Sequence, residues 1–267
     1  MPEAICVTCG TQFAHAAPGR CPICEDPRQF VPASGQAWTT LPALQATHHN
    51  RITRQGELEG LGTEPAIGIG QRALLVPHGP ARLMWDCITL FDADTAALLE
   101  RRGGLSGIAI SHPHFYSAMI EWARHFDCPV HLHADDADWI MRPDPHIALW
   151  DGERLDLGHG LTLVRTGGHF PGATVLHWAG GRGGAGTVLV GDVCIAVPDR
   201  RYVGFLWSYP NRVPLPAAAV KRIGDVLATV PYRTLHAAFW DSEIDDAPAV
   251  IERSVARYLS ALHTPGG

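Results

Sequence analysis

The chain has 267 residues, 46% of them hydrophobic, which is enough apolar material for one large domain and a small additional one. With 21 basic and 27 acidic residues, the net charge is −6, so the chain has no general attraction for nucleic acid. The N-terminus lacks the basic and apolar segments of a signal peptide, and no stretch approaches the ~18 consecutive apolar residues that a membrane span requires. We therefore expect a cytoplasmic protein that acts on a small molecule, without a nucleic-acid or membrane partner.

Four of the seven cysteines form two Cys-x-x-Cys pairs near the N-terminus, Cys6 with Cys9 and Cys21 with Cys24, eleven residues apart. Two such pairs can surround one ion with four thiolates, whereas an odd cysteine total argues against a disulfide framework. The pairs look like those of zinc ribbons and rubredoxins, so residues 1–35 are predicted to be a zinc ribbon. Iron and unliganded thiols are the alternatives. A site closed by four thiolates has no open position, so we expect it to stabilise the protein and not to catalyse.

Residues 36–65 are mixed and polar, and we interpret them as a linker with one short helix at residues 41–45. Residues 66–267 then form the main domain. In that domain, runs of β-branched and apolar residues alternate with helical periodicity. Strands are predicted at residues 66–69, 73–77, 82–88, 107–110, 129–132, 161–165, 174–178, 187–190 and 233–239, and helices at residues 94–102, 116–126, 215–228 and 247–262.

Candidate metal ligands follow these strands. His112 and His114 follow the strand at residues 107–110, and alternate residues of an extended segment point to the same side. Further along the chain, His169 lies in a Gly-Gly-His-Phe-Pro-Gly segment, Asp192 follows Gly191 at a strand end, and His236 ends another strand. Neutral imidazoles and carboxylates at strand ends are suited to holding a transition metal.

In order and spacing these residues resemble the metallo-β-lactamase superfamily of metal-dependent hydrolases, over roughly residues 66–240. Asp86 matches the first Asp of the family pattern, which comes after an early strand. The resemblance implies a four-layer αββα sandwich, in the α/β (α+β) class, with the metal at an edge where loops converge. It also implies that His112, His114 and His169 bind one ion, with Asp192 beside them.

The resemblance fails where the family places the second Asp and its adjacent His, because Tyr116 and Ser117 occupy those positions. A phenol keeps its proton to about pH 10, so neither residue is a good ligand. We therefore predict a mononuclear centre, with His236 hydrogen-bonding a water or substrate. As an alternative, one of His131 and His133 on the strand at residues 130–133, or of Asp135 and Asp136 just beyond it, reaches the vacated position.

Asp86 is expected to orient a ligand histidine through its other ring nitrogen, and Tyr116 to donate a hydrogen bond to a developing oxyanion. The segment 197–216, rich in aromatic residues and arginine, is interpreted either as a substrate wall or as core packing.

These features favour a zinc hydrolase in which Asp192 positions the attacking water. One alternative is a mononuclear iron oxidoreductase, because the resembled superfamily includes persulfide dioxygenases. Another is a non-catalytic metal-containing binding protein. The sequence leaves the substrate and the oligomeric state open, a homodimer included.

Overall fold

The structure, a computed structural model, describes residues 3–16 and 18–263. The chain divides into two compact units, residues 1–150 and residues 151–267. Each unit has its own sheets and helices. Among the described residues, no helix is both long and apolar enough to cross a membrane.

The first unit has nine strands and four α-helices in its described residues. In chain order these are β1 (Ala4–Cys6), α1 (Pro22–Glu25), β2 (Trp38–Thr40), α2 (Leu41–Gln45), β3 (His49–Gln55), β4 (Leu58–Glu64), β5 (Arg72–His78), β6 (Ala81–Trp85), α3 (Ala93–Glu100), β7 (Leu105–Ala109), α4 (Met119–Phe126), β8 (Val130–His133) and β9 (Ile147–Trp150). Two 3₁₀ helices, Pro113–Phe115 and Ala134–Trp139, follow β7 and β8.

Strands β3 to β9 form a seven-stranded sheet in sequential order, while β1 and β2 pair separately. Pairing is antiparallel from β3 to β6 and parallel from β6 to β9. Because parallel strands end at the same edge of a sheet, the loops after β6, β7 and β8 lie together. This edge carries Asp86, the His112 and His114 pair, and His133.

Strands β3 and β4 lie within residues 36–65, the segment expected to be a linker. Strand β3 (His49–Gln55) is an edge strand of mostly exposed and half-buried residues, with Ile52 as its single apolar side chain. It is held by backbone pairing with β4, in which Leu58 and Leu61 are buried. An edge strand with so few apolar residues gives little periodic signal. The short helix predicted at residues 41–45 is confirmed as α2.

Two predicted elements differ from the structure at residues whose backbone has positive φ. The predicted strand at residues 66–69 is wrong, because this segment is a turn in which Gly68 has φ +64°. Its apolar residue Ile67 instead packs against the cluster of Ile5, Leu44 and Leu90. Helix α4 begins at Met119 and not at residue 116, and Ser117 just before it has φ +42°.

The second unit has ten strands and three α-helices in its described residues. They are β10 (Arg154–Gly158), β11 (Leu161–Arg165), β12 (Thr174–Trp178), α5 (Gly181–Gly184), β13 (Thr187–Leu189), β14 (Ile195–Ala196), β15 (Val203–Gly204), β16 (Leu206–Ser208), β17 (Val213–Pro214), α6 (Ala217–Leu227), β18 (Thr234–His236), β19 (Glu243–Ile244) and α7 (Ala247–His263). A 3₁₀ helix, Gly191–Val193, follows strand β13.

The main sheet of this unit has the order β10-β11-β12-β13-β18-β19. Strand β13 runs parallel to β18 and antiparallel to β12. The end of β13, the end of β18 and the turn leading into β12 therefore lie at one edge. That edge carries Asp192, His236 and His169.

Candidate metal centres

The four N-terminal cysteines form a closed cluster. Each cysteine is at most 1% exposed, and their sulfur atoms lie within 4.8 Å of one another. The Cys6–Cys24 and Cys9–Cys21 Sγ distances are both 3.6 Å. Ligands at about 2.3 Å from a zinc ion are about 3.8 Å apart in a tetrahedron, whereas a disulfide requires about 2.05 Å. The spacing therefore fits a thiolate metal site.

The turns around this cluster follow from the local sequence. Gly10 has φ +81°, and its N–H donates to the Cys6 carbonyl at 2.8 Å. A Cβ at Gly10 would lie 2.1 Å from Thr89 Oγ1. The absence of a side chain at Gly10 therefore also allows the first cysteine turn to lie close to Thr89. The second pair flanks helix α1, which has Pro22 in its first turn, where proline loses no hydrogen bond.

Residues 4–16 and 18–40, here called the four-cysteine module, pack against the seven-stranded part of the same unit. The cysteines, Phe13 and Ile23 form a buried cluster with Trp139 and Met141. The Ala14 N–H donates to the Met141 carbonyl at 3.2 Å. Arg142, only 6% exposed, donates to Gln12 of the module and to Glu121 of α4. The module is thus docked by apolar contacts, backbone hydrogen bonds and a buried ionic network.

His112 is oriented by a relay that begins at Asp86. Asp86 is 1% exposed and has φ +60°, a conformation that Asp tolerates better than most residues. Its Oδ1 accepts from the Ser111 N–H at 2.8 Å and from the Ser111 hydroxyl at 2.7 Å. Ser111 Oγ lies 2.9 Å from His112 Nδ1. The Ser111 hydroxyl donates its proton to the Asp86 carboxylate, so Ser111 Oγ accepts a hydrogen bond from His112 Nδ1–H. The lone pair of the His112 ring is therefore on Nε2.

His114 lies in the 3₁₀ helix that follows, with its ring centroid 5.0 Å from that of His112. The side-chain amide of Gln29 lies 3.2 Å from His114 Nδ1. Gln71 Nε2 donates to the His114 carbonyl at 3.2 Å and to the Cys9 carbonyl at 2.6 Å. Both the ring and the backbone of His114 are therefore held.

His169 follows Gly167 and Gly168, which have φ +65° and +92°. A Cβ at Gly168 would come 3.0 Å from Ile223 Cδ1, so glycine allows this turn to lie against α6. His169 Nδ1 is 3.2 Å from the Leu206 carbonyl. Since a carbonyl can only accept, Nδ1 carries the proton and Nε2 the lone pair.

Asp192 is in the short 3₁₀ helix after β13 and is 5% exposed. The Tyr209 hydroxyl donates to the Asp192 backbone carbonyl at 2.7 Å. Burial, followed by the nearby Asp192 charge, raises the pKa of Tyr209 well above its usual value, so this phenol remains a donor. The segment 197–216 thus supports two candidate ligands, through Leu206 and Tyr209, while Phe205 is fully buried.

Four predicted ligands are buried in the structure, His112 and His114 in the first unit and His169 and Asp192 in the second. Each offers one ligand atom, an imidazole nitrogen or a carboxylate oxygen. The three histidines are 1–2% exposed. Three imidazoles and a carboxylate are a donor set suited to zinc or iron, and Nδ1 of His112 and of His169 each faces an oxygen that can accept its proton. The donor chemistry therefore fits a metal ion.

The other predicted site residues lie outside this group of four. The Tyr116 hydroxyl donates to the Asp136 backbone carbonyl at 3.4 Å, and the side chain is 2% exposed. Burial, then the Asp136 charge, raises the pKa of Tyr116 well above its usual value. The expectation of a neutral phenol is thus supported, but its hydroxyl is directed at a backbone carbonyl. Ser117 Oγ is buried and has no hydrogen-bond partner among the described residues.

His133 has a local structural role, since its Nδ1 accepts from the Asp135 N–H at 3.1 Å and its ring packs on Trp150 at 4.5 Å between centroids. His236 is 2% exposed at the end of β18. Sequence reasoning missed Ser111, Gln29, Leu206 and Tyr209 as supports of the ligands. Ser111 is adjacent to a predicted ligand, and Leu206 and Tyr209 lie in the segment 197–216 that its aromatic residues and arginines had singled out, whereas no sequence signal indicated Gln29.

No family model matches the sequence. YmaE of Bacillus subtilis (strain 168), described as an uncharacterized protein, is 41% identical over 269 residues, which cover 99% of this chain and 98% of YmaE. The DIM-1 metallo-β-lactamase has a TM-score of 0.59 at 12% identity, over 80% of this chain and 98% of DIM-1. FIM-1 of Pseudomonas aeruginosa, a metallo-β-lactamase solved in a mono-zinc form, has a TM-score of 0.56 at 15% identity, over 81% of this chain and 97% of FIM-1.

TTHA1623, solved in a di-iron-bound form, has a TM-score of 0.50 at 20% identity, covering 70% of this chain and 94% of TTHA1623. These structural likenesses establish the fold, and they confirm the fold class that the family resemblance implied. The chain has the metallo-β-lactamase fold and belongs to one family with YmaE of Bacillus subtilis.

Proposed function

We propose that the protein is a metal-dependent hydrolase with one ion at the group of His112, His114, His169 and Asp192. The observation that carries this proposal is that each unit holds two buried residues of the predicted ligand set, His112 and His114 in the first and His169 and Asp192 in the second. The oxygen acceptors found at Nδ1 of His112 and of His169 support it further. Such outer partners fix the tautomer and the ring orientation of metal-binding histidines.

When bound, a divalent ion supplies Lewis acidity, which eases deprotonation of water and polarises an ester, thioester, amide or phosphodiester. The residues of the chain supply orientation and proton transfer. The Asp192 carboxylate is the nearby group that can accept a hydrogen bond from the attacking water and hold its proton. Tyr209, by donating to the backbone of Asp192, keeps that carboxylate in place. We assign His236 to hydrogen bonding of water or substrate, as its strand-end position suggests.

We propose a mononuclear centre because of the residues at positions 116 and 117. A second ion would require ligands there, but Tyr116 keeps its proton and donates to a backbone carbonyl. Ser117 offers a neutral hydroxyl, which is a poor zinc ligand. Zinc is our proposed metal, as in the mono-zinc form of FIM-1. We also propose zinc for the four cysteines, where it stabilises the module.

The second candidate function is an iron oxidoreductase. It is favoured by one comparison, because TTHA1623 was solved in a di-iron-bound form. Histidines with a carboxylate are also the donors of non-haem iron enzymes. Elemental analysis of protein purified without added metal separates the two, since zinc at the histidine centre supports hydrolysis and iron supports oxygen chemistry.

The ligand assignment is tested by comparing His169→Ala with His133→Ala. Both remove a buried imidazole, so they are matched in size and burial. We expect His169→Ala to lose about one equivalent of metal and to abolish turnover on a panel of esters, thioesters and phosphodiesters. His133→Ala should keep its metal. Equal losses in the two variants would contradict the assignment and would make His133 a ligand.

A further inference from the structure

We infer that Gln29, supplied by the four-cysteine module, is a positioning residue for His114, a role that rests on the proposed histidine metal centre. The two side chains are separated by 85 residues in sequence and are both buried, with Gln29 8% exposed. The amide of Gln29 lies 3.2 Å from His114 Nδ1. The direction of the ring is therefore set by a residue outside the segment that carries the ligands.

The hydrogen-bond chemistry determines which ring nitrogen can bind a metal. The two ends of a glutamine amide exchange by a half-turn, so Oε1 can take the place of Nε2 toward the ring. In that orientation His114 Nδ1–H donates to Oε1, and the lone pair is on Nε2. This is the arrangement in which an outer partner increases the basicity of a metal-binding histidine.

The position of Gln29 depends on the fold around the cysteines. Its N–H donates to the Asp26 carbonyl at 2.8 Å, and the Asp26 N–H donates to the Pro22 carbonyl at 3.0 Å. Pro22 lies between Cys21 and Cys24, so the turn bearing Gln29 leaves directly from the cysteine cluster. Arg28 fixes the same turn through its ion pair with Asp26 at 2.7 Å.

A second hydrogen-bonded link connects the four-cysteine module to His114. Gln71, 4% exposed, uses its Nε2 to bridge the Cys9 and His114 carbonyls. His114 is thus linked to one Cys-x-x-Cys turn through its carbonyl and to the other through its ring. The module accordingly does more than stabilise the chain, because it sets the geometry of a ligand at the other centre.

The test compares Gln29→Leu with Gln29→Glu. Both side chains approximate the size of glutamine, but only glutamate can accept from Nδ1–H. Affinity for zinc is measured by competition with a chromophoric chelator, after stoichiometry has separated the two centres. We expect Gln29→Leu to weaken the histidine centre about 10- to 100-fold and Gln29→Glu to bind as tightly as the native protein or more tightly.

A control variant and a spectrum exclude a merely structural role. Gln55→Leu removes another buried glutamine of the same unit, which donates to the Arg54 carbonyl at 2.9 Å, and it should leave zinc affinity unchanged. In the NMR spectrum of the zinc-loaded protein, we expect a slowly exchanging His114 Nδ1–H that Gln29→Leu loses and Gln29→Glu retains.

The possible failures are distinguishable. If the native protein takes up zinc only at the cysteines, the proposed function fails. If the native histidine centre binds zinc and Gln29→Leu binds it equally well or better, the role of Gln29 is refuted. Equal weakening by the Leu and Glu variants would also overturn it, since packing and not hydrogen bonding would then be responsible.

Discussion

Ser111 offers the sharpest test of how the ligands are supported. Its hydroxyl links the buried Asp86 carboxylate to the ring of His112, with contacts of 2.7 Å and 2.9 Å. Ser111→Ala removes the hydroxyl and leaves the Ser111 N–H donating to Asp86 at 2.8 Å. His112 would then lose the hydroxyl that favours its tautomer and its ring angle.

The magnitude follows from these two contacts. Loss of an outer partner of a metal-binding histidine weakens metal affinity about 10- to 100-fold, or about 1.4 to 2.7 kcal/mol. The hydrogen bond to a buried carboxylate contributes about 1.5 to 3 kcal/mol to folding. We therefore expect Ser111→Ala to lower both the zinc affinity and the metal-free stability, and Ser111→Thr, which keeps the hydroxyl, to restore most of both.

Zinc affinity is measured by chelator competition and stability by urea unfolding of the metal-free protein. Ser106→Ala is the matched control, because Ser106 is on the preceding strand and its hydroxyl also contacts a histidine Nδ1, that of His78, at 2.6 Å. This variant should change stability without changing zinc affinity. Native zinc affinity in Ser111→Ala would refute the relay.

Two further predictions concern the number of ions. Replacing Cys21 and Cys24 with Ser should remove about one equivalent of metal. The histidine centre should stay occupied at saturating zinc, but with weaker affinity. Elemental analysis that shows loss of both ions, or of neither, would contradict two separate centres. The double change Tyr116→Asp with Ser117→His should let the chain bind about one more zinc equivalent, because Asp and His are ordinary zinc ligands. Native protein that already binds two zinc ions outside the cysteines would contradict the mononuclear proposal.

Local chemistry made much of the chain predictable from sequence. Two Cys-x-x-Cys pairs specify a thiolate cluster because the spacing within each pair suits a tight turn, and the structure brings all four sulfur atoms together. The positions of His112, His169 and Asp192 at strand ends follow from apolar runs that stop at glycine or polar residues. Helix α2 was placed correctly by its own residues. These features depend on neighbours in sequence, so periodicity and spacing are sufficient to find them.

Other features depend on contacts distant in sequence. Strand β3 is weakly apolar and exists because β4 pairs with it, so its sequence resembles that of a linker. Gln29 meets His114 although the two are 85 positions apart, and a glutamine in a polar loop gives no sign of such a contact. The same holds for Leu206, whose backbone carbonyl, and not its side chain, faces His169.

The sequence by itself thus determined the identity of the candidate ligands and the family resemblance, because side-chain chemistry and strand-end position are local properties. Only the tertiary structure decided what orients those ligands. Hydrogen bonds to ring nitrogens come from whichever donor or acceptor the fold brings within about 3 Å, and backbone carbonyls and single polar side chains carry no pattern that identifies them in advance.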